Sequence, residues 1–120
     1  MTTADKLQGI ITAAEEGKAE LIETIDIQEK THLADYFVLC SGNSDVHIRA
    51  ISDRIQDALG DTGIKSKRIE GYTQAVWILL DYGDVVVHIM REEERERYKL
   101  EELWKSTPKL EQKRSEEEAG

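Results

Sequence analysis

Apolar residues recur along this chain with two periods, and the alternation of the two lays out its elements. Leu7, Ile10, Ile11 and Ala14 fall at helical spacing, which predicts an amphipathic first helix with Thr2 or Thr3 as its N-cap and Gly17 as its stop. Residues 19–27 place Leu21, Ile25 and Ile27 on one side of a half-buried strand. Residues 35–41 are apolar on both faces, as a central strand requires. A turn over 42–45 follows, with Ser44 able to cap a helix whose Ile48, Ile51, Ile55 and Leu59 share one face before Gly60 or Gly63 ends it. Residues 65–72 are more polar and read as an edge strand protected by Lys and Arg.

Residues 75–90 carry the strongest pattern, two β-branched and aromatic runs joined at Tyr82-Gly83, which predicts a β-hairpin. With those two residues as the loop, Asp81 faces Asp84 and the pairing runs out to Ala75 and Met90. One face then holds Val76, Ile78, Leu80, Val85, Val87 and Ile89, and is all aliphatic. The other holds Ala75, Trp77, Leu79, Asp81, Asp84, Val86, His88 and Met90, too apolar for open water and too mixed for a core. An aromatic anchor with a polar edge is the make-up of a protein–protein contact. A last helix starts near Arg91, with Glu92, Glu93 and Glu94 at the positive end of its dipole, Glu93–Arg97 and Glu101–Lys105 as i, i+4 pairs, and Tyr98, Leu100, Leu103 and Trp104 as its apolar side chains.

The order helix–strand–strand–helix–strand–strand–strand–helix predicts an α+β layer: a mixed five-stranded sheet with helices mainly on one face. Three helices do not cover both faces, which leaves the Trp77 face for a partner. Residues 1–107 form one domain, and the polar stretch 108–120 reads as a frayed or disordered tail.

Charge and composition narrow the function. A net charge of −9 opposes direct gripping of a phosphate backbone and suits a partner with a basic surface. The longest apolar run, 75–80, is far too short to span a bilayer, and the first residues have no signal-peptide character. The one cysteine, Cys40, excludes an internal disulfide and fits a reducing cytoplasm. It falls in a buried strand, where thiols are inert.

His32, His47 and His88 sit on different elements without ligand spacing, so no metal or cofactor is expected. Residues 41–45 lack the glycine and lysine pattern of a phosphate loop and read as a tight turn with an N-cap. Asp81 and Asp84 read as turn residues. An alternative is a nucleotide-binding enzyme using 41–45 for phosphate and these two acids for metal, which requires the carboxylates to converge.

Residues 34–38, 40–45 and 49–51, Glu70-Gly71, Trp77, residues 80–88, Tyr98, Leu100-Glu101 and Leu103-Trp104, in this order and spacing, resemble the Iojap-like family over roughly residues 3–107. The chain departs from members that often carry Phe in having Arg97 before Tyr98 and Met90 after Ile89. The resemblance implies a nucleotidyltransferase-like fold without a working active site. It implies a non-enzymatic ribosomal silencing factor that binds the large subunit through its universal protein numbered fourteen and blocks small-subunit joining. It also implies a homodimer when free, and in organelles a role in large-subunit assembly. With the pattern above, it puts the partner-binding residues at Trp77, Leu79, Val86, His88 and Met90, joined by Tyr98 and Tyr72.

Overall fold

A computed structural model describes residues 2–108, so most of the expected 108–120 tail lies outside the described residues. The elements run α1 (Thr3–Glu16), β1 (Glu20–Asp26), β2 (Tyr36–Gly42), α2 (Asp45–Gly60), β3 (Arg68–Glu70), β4 (Trp77–Asp81), β5 (Val85–Arg91), α3 (Glu92–Tyr98) and α4 (Leu100–Ser106). The five strands form one mixed sheet in the order β1-β2-β5-β4-β3; β2 and β5 are parallel and the other neighbours antiparallel.

Local chemistry sets the helix ends. Thr2 caps α1 in a reciprocal capping box with Asp5, and Gly17 closes it. Ser44 accepts from the His47 amide at the start of α2. Both helices lie on one face of the sheet. Ile10, Ala13 and Ala14 of α1, with Ile48, Ile51, Ile55 and Leu59 of α2, pack on Val38, Cys40, Ile78, Leu80, Val85, Val87 and Ile89.

The hairpin register differs from expectation by two residues. Tyr82 donates its amide to the Val85 carbonyl, so the loop is Gly83-Asp84, and Trp77 pairs with Met90. Gly83, at φ 89, takes the first loop position, which primed two-residue turns reserve for glycine. A shift of two preserves the faces, so Ile78, Leu80, Val87 and Ile89 still point to the helices. It also brings Tyr82 into the core.

Ala75 and Val76 are the exceptions: Ala75 is buried and Val76 is 39% exposed, the reverse of the expected faces. Ala75 sits at φ 53, outside the strand, and the kink reverses the alternation there. The segment before it is tied by the Ala75 amide to the Gly71 carbonyl. Gly71 has φ 78, and a Cβ on it would stand 2.0 Å from the Trp77 carbonyl oxygen. Only glycine lets the chain pass so close to the start of β4.

The last helix also departs from the pattern. Lys99, at φ 46 and ψ 51, splits it into α3 and α4, which cross to the opposite face and pack on β1, β2 and β5. Ile25, Ile27, Ala34 and Leu39 form a second, smaller core there, with Phe37, Val86, Leu100 and Trp104 against it. The two long helices cover the central strands on one face, leaving Ile69 of β3 41% exposed at its edge, and the two short ones cover part of the other.

Candidate docking site: an aromatic row on the second face

The second face of the sheet carries a row of rings. Tyr98 of α3 lies against Trp77 of β4 with centroids 5.2 Å apart, and Trp77 lies 5.8 Å from His88 of β5. His88 meets Phe37 of β2 edge-on at 4.8 Å, and Phe37 meets Trp104 of α4 edge-on at 5.2 Å. Strand alternation accounts for the row, since the parallel register sets Phe37 beside Val86 and Leu39 beside His88, while Leu79 opposes His88 from β4.

The structure divides the expected partner residues into three groups. Trp77, Leu79 and Val86 are half-buried, and Tyr98 is 49% exposed at the end of the row; these four present apolar surface to solvent. Met90 is fully buried and His88 is 6% exposed, so neither contributes surface as expected. The reason is α3, which follows β5 directly and folds back over its end, while the neighbouring strands enclose His88. Tyr72 is not brought to this face. Its hydroxyl donates to Asp53 of α2 at 2.9 Å, and Arg49 holds its backbone carbonyl at 3.1 Å.

Trp77 is fixed from beneath. Its indole Nε1–H donates to His88 Nδ1 at 3.0 Å. Burial lowers the His88 pKa from 6.5 to about 4, so the ring is neutral at neutral pH and Nδ1 is free to accept.

Arg95 of α3 is a determinant outside the i, i+4 pairs expected for this helix. It is buried and donates to the Leu21 carbonyl and, at 3.2 Å, to the Ser41 hydroxyl, with Glu23 and Glu101 each at 3.6 Å. Leu21, at φ 52, lies where the β1–β2 register shifts, and this bulge turns its carbonyl to the guanidinium. Arg95 thereby pins α3, and with it Tyr98, to the sheet. The signal in the sequence was its spacing of three from Tyr98, which puts both on one side of a helix. The expected local pairs are replaced: Arg97 pairs with Glu94, Glu101 with Arg95, and Lys105 with Glu23 at 2.9 Å.

The groups considered for catalysis are committed elsewhere. Asp84 accepts from Lys6 at 2.7 Å and from Thr3, which hold its pKa below the ordinary value against the opposing effect of burial. Asp81 accepts from the Gly83 amide at 2.8 Å. In the 41–45 turn the His47 amide is taken by Ser44, and the Asn43 amide by His47 Nδ1. Cys40 is fully buried, and burial pushes its thiol up to about 12. Among the described residues no group of three His, Cys, Asp or Glu side chains is placed to hold a metal ion. No described helix is long and apolar enough to cross a membrane.

Comparison with known proteins places this geometry. The family model described as "Ribosomal silencing factor during starvation" matches residues 1–120. The chain is 39% identical over 111 residues to the ribosomal silencing factor RsfS of Halalkalibacterium halodurans, covering 92% of this chain and 95% of that one. It is 43% identical over 96 residues to the protein of the same name from Bacillus subtilis, covering 80% and 81%. A crystal structure of a Chromobacterium violaceum protein superposes with a TM-score of 0.86 at 30% identity, covering 90% of each chain. The chain belongs to the Iojap-like ribosomal silencing factor family.

Proposed function

We propose that this protein docks on the large ribosomal subunit through Trp77 and Tyr98, with Leu79 and Val86 beside them, and that the docked body blocks entry of the small subunit. The partner in this reading is the universal large-subunit protein numbered fourteen, and the outcome is lowered translation. The protein acts without turnover, in the cytoplasm, and exists as a homodimer when free. Residues 1–107 are the docking body.

The observation that carries the reading is the half-exposed Tyr98 lying on a half-buried Trp77, an aromatic pair at the margin of a sheet face that α3 and α4 cover only in part. Aromatic anchors in such settings dominate interface energetics, and truncating one often costs more than ~2 kcal/mol. The relatives' name supports a ribosomal target, and the net charge of −9 suits a basic ribosomal protein over bare RNA. Light scattering from mixed subunits tests it. Wild-type protein added to large subunits first is expected to suppress the rise on adding small subunits, and Tyr98→Glu to leave that rise intact. An undiminished rise with saturating wild type overturns the steric mechanism.

A further inference from the structure

Resting on that docking reading, the geometry points to His88 as the positioning residue for Trp77: its Nδ1 fixes the indole in the orientation offered to the partner. The indole N–H to Nδ1 bond spans 3.0 Å between neighbouring strands. For Nδ1 to accept, the ring proton must sit on Nε2. That atom is buried and has no hydrogen-bond partner among the described residues. A buried donor left unpaired is unfavourable. The opposite tautomer would instead deprive the indole of its acceptor, so the arrangement satisfies Trp77 at the expense of His88. Phe37, edge-on at 4.8 Å, restrains the imidazole from the far side. His88 therefore acts through Trp77 without touching the partner, which explains how a residue only 6% exposed bears on docking.

Four full-length variants test this: His88→Phe removes the acceptor, His88→Asn retains one near the Nδ1 position, Trp77→Phe removes the donor, and His88→Phe/Trp77→Phe removes both. The chain has two tryptophans, and the indole N–H resonance lost in Trp77→Phe assigns the other by difference. Hydrogen exchange of the Trp77 indole is expected to be slow in wild type and His88→Asn, and at least about tenfold faster in His88→Phe. Affinity for large subunits is expected to fall about tenfold in His88→Phe, in Trp77→Phe and in the double variant alike, with His88→Asn close to wild type. Should His88→Phe fail to fold, His88→Leu, which likewise lacks an acceptor, takes its place in both readouts. Unchanged indole exchange in His88→Phe, multiplied losses in the double variant, or an Asn variant as weak as Phe overturns the proposal. Trp77→Ala separates the two levels. If it binds like wild type, the docking reading itself falls; if it weakens binding while His88→Phe does not, only the positioning role falls.

Discussion

Gly71→Ala is the perturbation that the backbone of this protein defines most sharply. Two effects add there. The residue sits at φ 78, where a side chain costs about 1–2 kcal/mol through contact with its own carbonyl. In addition, the new Cβ would stand 2.0 Å from the Trp77 carbonyl oxygen and 3.1 Å from its carbonyl carbon. Both atoms are backbone at the first residue of β4, so no side chain can swing away, and relief requires the strand to retreat by more than an ångström. The two effects together bring the expected loss to roughly 4 kcal/mol, near the upper end for a single substitution.

Gly63→Ala is the matched control, because Gly63 has φ 83 but nothing within 4 Å of the added carbon. It is expected to lose only the conformational part, about 1–2 kcal/mol. Urea unfolding of the two variants, compared at equal m-values, isolates the contact. Equal losses in the two variants would refute the claim that Gly71 is held by its approach to Trp77. The same displacement would move the indole, so Gly71→Ala is also expected to weaken ribosome binding beyond what its stability loss explains.

Two further outcomes follow from buried titratable groups. The folded-state pKa of His88, about 4, lies below its unfolded value of 6.5, so its contribution to stability is full above 6.5 and is lost as pH falls through that window. Wild type is expected to lose roughly 3 kcal/mol relative to His88→Phe between neutral pH and pH 4 by urea titration, and parallel pH profiles would contradict the assignment of a buried neutral imidazole. Cys40, fully buried with its thiol pushed up to about 12, is expected to resist a thiol-specific disulfide reagent in the native protein and to react fully once unfolded. Rapid native modification would show β2 to be open to solvent.

What periodicity could reach in this chain was whatever depends on neighbours in sequence. The ends of α1 and α2, the edge position of β3 and the aliphatic face of the hairpin follow from caps, turn residues and alternation, all local. The loop lies one residue later than the pattern predicts and the cross-strand pairing shifts by two, yet the faces survive because a strand's side chains repeat every two. Ala75 and Val76 exchanged roles through one left-handed residue, a change that hydrophobicity alone does not encode.

The site was legible in part for the same reason. Trp77, Leu79 and Val86 fall on the second face by alternation, whereas the burial of Met90 depends on where α3 folds back and that of His88 on the Phe37 and Trp77 rings beside it. The path of α3 is fixed by long-range contacts of Arg95 with Leu21, Ser41 and Glu23. A run of glutamates and arginines offers few cues as to which member turns inward. Tyr72 shows the converse: near Trp77 in sequence, it is drawn to the other side of the sheet by Asp53 and Arg49 of α2.

Co-sedimentation with isolated large subunits tests the central claim most directly, using Trp77→Glu and Tyr98→Glu against Leu33→Glu. Leu33 is 85% exposed, so that variant introduces a like charge without entering the aromatic row. With all three folded by circular dichroism, wild type and Leu33→Glu are predicted to pellet with the subunits while Trp77→Glu and Tyr98→Glu stay in the supernatant. Pelleting of both folded row variants at the wild-type level would contradict docking through this face.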